Sequence, residues 1–350
     1  MSKAAELAAL IGSQTALSNR NLVINGAMQC WQRATSATAA ANTYNTVDRY
    51  IPYEVTDGAY TTERSTDTPT GTGYSLKCQV TTADTSLAAG QYSFIQQRIE
   101  AQNLQHLEYG TSSAKAVTLS FWVKSNKTGT YTISLYKHDS TAYNYTREYT
   151  IDSADTWEKK ELTISPTAGS TTFITSSGGS IANDNGEGLH VNINLAWGST
   201  YTGGTSDSWS SDANDYATTN QVNWMDSTSN NFYLAQVQLE VGEQATPFEH
   251  RSYGDELLRC RRYFQPFRSY SEYSIGTTGS VGNTPTAFVP AMRATPTFTV
   301  TSTAGSNSSL NSVSSYTGGL DSVYQYALNF AITSSGYMYI LRAGTADAEL

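Results

Sequence analysis

The stretch Leu189-His190-Val191-Asn192-Ile193-Asn194-Leu195-Ala196-Trp197 decides the fold. Apolar side chains fall on every second residue, with smaller or polar ones between them. A period of two belongs to a β-strand with one buried face and one wet face. By this register Trp197 joins Leu189, Val191, Ile193 and Leu195 in the core, and His190, Asn192 and Asn194 face water. The alternation recurs on both sides of this stretch. Val117, Leu119, Phe121 and Val123 alternate with Thr118, Ser120, Trp122 and Lys124. Ile133 and Leu135 alternate with Thr132, Ser134 and Tyr136. Tyr233, Ala235, Val237, Leu239 and Val241 alternate with Leu234, Gln236, Gln238 and Glu240. Clusters such as Asn126-Lys127-Thr128-Gly129 and Asn183-Asp184-Asn185-Gly186 separate the runs with turn chemistry. Many short strands joined by turns predict a mainly β chain, an antiparallel β-sandwich of the jelly-roll kind.

Working outward, the spacing predicts four segments. Residues 1–20 form an N-terminal helical anchor. Ser2 caps it, Leu7, Leu10 and Ile11 lead its apolar side, and Gly12 ends it. So short a helix must pack on its own body, on copies of itself or on a docking partner. Residues 21–250 form the jelly roll. Within them Gly198 to Asn231 is a long polar stretch holding Trp209, Tyr216 and Trp224, and loops of that length are usually functional or disordered. Residues 251–266 form a linker helix over Tyr253 to Gln265. Ser252 and Asp255 stand at its start, Arg259, Arg261 and Arg262 near its end, and Pro266 stops it. Residues 267–350 form a smaller C-terminal β domain, with strands at Thr297–Thr301 and Tyr337–Arg342 and a Ser/Asn/Gly-rich segment, 302–319, between them. Its sequence suggests marginal burial, which neighbouring copies in an oligomer would relieve.

Composition narrows the function classes. The 350 residues carry 21 Lys and Arg against 30 Asp and Glu, a net charge of −9, and only 15% are charged. That balance disfavours a broad nucleic-acid surface, which needs clustered cations. No apolar run approaches the roughly 20 residues of a bilayer-spanning helix, so no membrane insertion is expected. Three cysteines, Cys30, Cys78 and Cys260, are far apart, and their odd number argues against a disulfide framework.

The chemistry of catalysis is sparse. The four histidines, His106, His138, His190 and His250, show no metal-ligand spacing, and there is no nucleophile elbow or phosphate loop. Cys260 lies between Arg259 and Arg261 and reads as a packed helical thiol. Asp207, Asp212 and Asp215, or Glu158 and Glu161 beside Trp157, are the carboxylates from which a glycoside-cleaving pair could be drawn. No cofactor is expected. Asp184-Asn185-Gly186-Glu187 is a candidate for structural calcium, although it lacks a full calcium loop and also reads as a plain turn into the next strand.

Aromatics on wet faces are more informative. A sugar ring has an apolar C–H face for Trp or Tyr to stack on and a rim of hydroxyls for amides to bond. The glycan-binding candidates are therefore Trp122, Tyr136, Trp209, Tyr216, Trp224, Asn192 and Gln236, with Trp209, Tyr216 and Trp224 the better exposed. The other reading of Trp122 packs it beneath a loop or a neighbouring subunit.

The chain also resembles a family of bacteriophage tail-fibre-like virion proteins. Asn21-Leu22-Val23-Ile24-Asn25-Gly26, followed by Trp31-Gln32-Arg33, is similar to that family's opening, with Ala34 where Gly is usual. Asp48-Arg49-Tyr50, Ser120-Phe121-Trp122-Val123-Lys124, Val237-Gln238-Leu239-Glu240-Val241-Gly242 and Ala245-Thr246-Pro247-Phe248-Glu249 match further motifs in order. So do Leu257 to Phe264 and Met292-Arg293-Ala294-Thr295-Pro296. The resemblance implies a non-enzymatic phage structural protein with a carbohydrate-binding-module-like jelly roll. It also implies a homotrimer that adsorbs to host surface glycan. Residues 1–20 remain to join it to other virion tail or capsid proteins. Two rival readings are a head fibre or decoration protein without a receptor and, as an enzyme, a polysaccharide depolymerase.

Overall fold

The computed structural model describes residues 19–275, 281–306, 308–315, 325–332 and 336–350. The N-terminal helix expected around Leu7, Leu10 and Ile11 lies outside them. The chain divides into two compact units, Met1–Arg251 and Ser252–Leu350.

The first unit is an antiparallel β-sandwich of twelve strands. In chain order they are β1 Ser36–Thr38, β2 Ile51–Val55, β3 Ala59–Ser65, β4 Ser75–Thr82, β5 Tyr92–Glu100 and β6 Val117–Ser125. They continue as β7 Gly129–Lys137, β8 Tyr143–Ile151, β9 Glu158–Ile164, β10 Glu187–Trp197, β11 Ser208–Ser210 and β12 Asn231–Val241. One sheet has the order β1-β3-β4-β12-β6-β9 and the other β11-β8-β7-β10-β5-β2. The connections after β1, β2, β4, β5, β6, β8, β9 and β11 change sheet, as a jelly roll requires. The Asn126-Lys127-Thr128 turn is one of these crossings rather than a hairpin. Trp122 and Tyr136, each expected on the wet face of its strand, therefore belong to different sheets.

Core residues come from the expected alternation. Leu189, Val191, Ile193 and Leu195 meet Leu119, Phe121 and Val123 across the sandwich, all nearly free of solvent. Two β-bulges change the pattern. Between Ala235 and Gln238, β12 carries one more residue than β6. Side-chain parity flips there. Phe232 and Leu234 are in the core ahead of the bulge and Val237 and Leu239 after it, so Tyr233 points outward, against its expected place inside. A second bulge lies between Asn194 and Ala196 of β10. It carries Trp197 off the core face that the simple alternation assigns to it.

The opening motif closes the sandwich. β12 pairs with β4 only over Asn231–Leu234, which leaves the edge beyond Leu234 open. Asn21–Gly26 fill it. Asn21 Nδ2 donates to Val237 O at 3.0 Å, while Asn21 Oδ1 accepts from Leu239 N at 3.1 Å and Val23 N at 3.0 Å. Leu22 N reaches Leu239 O at 2.8 Å, and Val237 N reaches Gly26 O at 2.9 Å. A Cβ on Gly26 would lie 2.1 Å from Val237 O, so only glycine permits the approach. Ile24 exchanges two 2.8 Å bonds with the Gln97 amide on β5, which ties the segment to the other sheet. The closing motif completes the seam. Glu240 accepts from Thr246 N at 2.8 Å, Gln238 Oε1 accepts from Glu249 N at 2.8 Å, and Glu249 Oε2 accepts from Asn21 N at 2.9 Å.

The second unit begins with α1, Tyr253–Arg261, capped by Ser252 Oγ accepting from Asp255 N at 3.2 Å. The helix ends earlier than Pro266 suggests. Phe264 to Ile275 is strand β13, with Pro266 inside it. Strands β14 Val281–Ala287, β15 Thr297–Ser306, β16 Ser308–Ser315, β17 Gln325–Ile332 and β18 Gly336–Asp347 complete two three-stranded sheets, β13-β18-β15 and β14-β17-β16. In the Ser/Asn/Gly-rich segment 302–319, residues 302–306 and 308–315 are strand, because ladder pairing with β18 and β17 outweighs the weak strand propensity of Ser, Asn and Gly. Cys260, Cys30 and Cys78 are all buried, and none of them is in a disulfide.

Removing the Asn21 amide leaves Val237 O, Leu239 N and Val23 N buried without this partner. Asn21→Ala should cost about 2–4 kcal/mol in denaturant unfolding. Gly26→Ala should cost at least as much through the steric clash. Wild-type stability in both variants would contradict this account of the seam.

Candidate functional site

The outer face of the second sheet carries a cleft of about 280 Å³. Period two dictates its strand-borne lining. Tyr92, Phe94, Gln96 and Arg98 leave β5 on one side, while Ile95 and Ile99 leave on the other into the core. Tyr53 lies opposite Phe94 on β2. Tyr136 comes from β7, and His190 and Trp197 come from β10. The long loop after Trp197 adds Tyr201, Asn214 and Tyr216.

These aromatics form one stacked row across the strands. Tyr53 lies on Phe94 at 4.5 Å and 16°, Phe94 on Trp197 at 5.0 Å and 12°, and Trp197 on Tyr216 at 4.8 Å and 6°. Tyr216 in turn lies 5.9 Å from Tyr136 at 29°. Separations close to the roughly 4.8 Å between strands, with nearly parallel planes, mean that the rings stand on edge. Tyr92 and Tyr201 flank the row, and Tyr201 meets Trp197 at 63°. Burial raises the phenol pKa of Tyr216, and the nearby hydroxyls of Tyr136 and Tyr201 add to the rise.

Beneath the row lies a floor of paired polar side chains. Gln96 Nε2 donates to Asn192 Oδ1 at 2.9 Å, and Asn192 Nδ2 donates to Ser134 Oγ at 3.0 Å. Asn194 Nδ2 donates to Thr132 Oγ1 at 2.9 Å and to Tyr216 O at 2.8 Å. This lattice lowers the cost of covering a polar sheet face, because each of these amide N–H groups meets a partner. Asn194 Oδ1 and Trp197 Nε1 are exceptions, both buried with no hydrogen-bond partner.

One end of the cleft is ionic. Arg98 Nη1 lies 2.8 Å from Glu187 Oε1, and its other nitrogens donate to Gln96, Asn42 and Tyr53. His190 Nε2 lies 2.8 Å from Glu187 Oε2, and His138 lies 3.7 Å from the same oxygen. Burial opposes ionisation of Glu187, but the His190 hydrogen bond and the charges of His190, Arg98 and His138 win, holding it at about 2. Burial lowers the His190 pKa, with Glu187 opposing.

Of the residues singled out from sequence, Tyr136 and Tyr216 line this cleft and Asn192 forms its floor, fully buried. Trp122 and Gln236 are on the other sheet, where Gln236 sits in the bulge and donates to Thr70 O at 2.9 Å. Trp209 and Trp224, expected to be exposed, are core residues, 2% and 0% accessible. Each anchors the long loop and satisfies its indole N–H on a carbonyl, Ser165 O at 2.9 Å and Asn231 O at 3.1 Å. Burying two indoles gives a polar loop the apolar contact its other residues lack.

Sequence reasoning missed Tyr53, Tyr92, Phe94, Trp197 and Tyr201. The shared parity of Tyr92 and Phe94 with Gln96 and Arg98 was the available signal. None of the lining residues is a carboxylate. Asp207 pairs with Arg147, Asp215 accepts from Ser210, Asp212 closes a turn onto Asn214, Glu158 pairs with Lys160 and Glu161 pairs with Lys159. Asp184 closes a turn onto Gly186 N at 2.8 Å. No group of three or more His, Cys, Asp or Glu among the described residues is placed to hold a metal ion.

No protein-family model and no curated protein matches the chain. Several solved structures are distantly similar to it. A candidate sugar-binding protein from Bacteroides thetaiotaomicron is 10% identical, covering 63% of this chain and 100% of its own, with a TM-score of 0.36. A family 11 carbohydrate-binding module from Clostridium thermocellum, solved with a mixed-linked tetrasaccharide, is 14% identical over 62% of this chain and 99% of its own, with a TM-score of 0.29. The enzymatically active domain of tailspike protein 4 from bacteriophage CBA120 is 13% identical over 64% of this chain but only 22% of its own, with a TM-score of 0.31. The site rests on its own geometry.

Folded Glu187 keeps its charge down to about pH 2, whereas in the unfolded chain it protonates near the ordinary 4.5. Its contribution to stability is complete above that pH and is lost as pH falls towards 2. Melting curves should therefore show the wild type losing stability through this window and Glu187→Gln losing less. Parallel pH profiles would contradict the assignment.

Proposed function

We propose that this chain is a glycan-binding appendage of a phage particle, a tail fibre or receptor-binding protein that adsorbs to neutral surface glycan of the host. The row of aromatics over an amide floor carries the binding part of the reading. Aromatic rings attract the C–H faces of sugars, and the phenol hydroxyls, Gln96 and Asn214 offer partners for hydroxyl groups. Arg98 is neutralised by Glu187, which favours an uncharged ligand over an acidic one. A cleft without a lining carboxylate favours binding over hydrolysis.

The virion part rests on the ordered tail-fibre-like motifs. In this reading the protein is a homotrimer, joins tail or capsid proteins through residues 1–20, and resides in the phage particle. Three copies would turn weak sugar binding at each site into firm attachment.

The test combines retardation in gels holding neutral polysaccharides with binding to envelopes of candidate hosts. Trp197→Ala should weaken binding by about tenfold or more, whereas Trp122→Ala, on the opposite sheet, should leave it unchanged. Equal effects of the two substitutions would sink the assignment of the cleft. Light scattering should give three times the 38.0 kDa of one chain, and a monomer at micromolar concentration would overturn the trimer.

A further inference from the structure

Stacking a sugar needs an aromatic face open to the ligand, and Trp197 has none. Phe94 covers one face at 5.0 Å and Tyr216 covers the other at 4.8 Å. Phe94 and Trp197 are fixed by their strands. Tyr216 comes from the loop, and its ring lies between those of Trp197 and Tyr136, with interplanar angles of 6° and 29°. A single six-membered ring thus occupies a slot walled by two aromatic side chains.

The backbone of Tyr216 is held independently of its ring. Its carbonyl accepts from Asn194 Nδ2 at 2.8 Å, its N–H donates to Asn214 O at 2.8 Å, and Ala217 N donates to Tyr201 O at 3.0 Å. Rotation about χ1 would move the ring out while leaving these bonds in place.

We infer that the slot between Trp197 and Tyr136 is a subsite for one neutral pyranose and that Tyr216 is its internal occupant, displaced when the sugar enters. This rests on the glycan-binding reading and adds where one sugar ring sits and what must move. The free protein is then mostly in a closed form, and its apparent affinity is lowered by the fraction of time the slot is open.

The experiment compares wild type, Tyr216→Ala and Tyr216→Phe in gels holding mixed-linked β-glucan, xylan, galactan or dextran, with near-ultraviolet dichroism to verify folding. Removing the occupant should lower the dissociation constant about threefold to tenfold, by the strength of one aromatic stacking pair. Tyr216→Phe keeps the stack and should bind as the wild type does. Weaker or unchanged binding by Tyr216→Ala would overturn the subsite and leave the glycan reading standing. If no gel retards either the wild type or Tyr216→Ala, both fall.

Discussion

The amide of Asn21 meets Val237 and Leu239 where β12 has parted from β4 and its edge would otherwise lie open. An unpaired edge inside a sandwich leaves backbone groups without water or partner, a cost comparable to losing several hydrogen bonds. The Asn21–Gly26 segment removes that cost, and through Gln97 it fixes one sheet against the other. The bulge in β12 belongs to the same arrangement. It sets which side chains of that strand enter the core, and Gly26 sits against Val237 just beyond it. Core, bulge and closing motif form one interlocked construction.

The quoted motifs and the residues of the aromatic cleft are thus different sets. Asn21, Asn25, Asp48, Gln238, Glu240 and Glu249 are engaged in bonds that hold the sandwich shut. Tyr53, Tyr92, Phe94, Trp197 and Tyr216 lie outside every motif. A frame closed by one set of residues leaves the composition of the aromatic face free to vary without disturbing it.

Much of the sandwich was legible in the sequence because period two is a strong signal, as in Leu189–Leu195 and Leu119–Val123. What escaped was parity. One extra residue in β10 turns Trp197 from the expected core onto the outer face, and one in β12 exchanges Tyr233 with Phe232 and Leu234. No local composition announces such bulges, since they depend on the pairing partner. Trp209, Trp224 and Tyr216 look alike in a polar loop, yet two anchor it and one enters the cleft. Only tertiary packing separates them. In the second unit, ladder pairing made strand of a Ser-rich run that propensity leaves undecided.

The same seam brings the beginning and end of the sandwich side by side. Asn21 N bonds Glu249, and Arg251 Nη1 reaches back to Val23 O at 3.2 Å and its Nη2 to Glu249 at 2.9 Å. A pull applied along the chain on either side of the unit therefore meets this clamp before any strand of the core. Tension is passed across a few charged hydrogen bonds loaded together, and the sheets hang from the load path as a side branch. For a module held in moving fluid, the face of the sandwich can stay in shape while the chain on either side is strained.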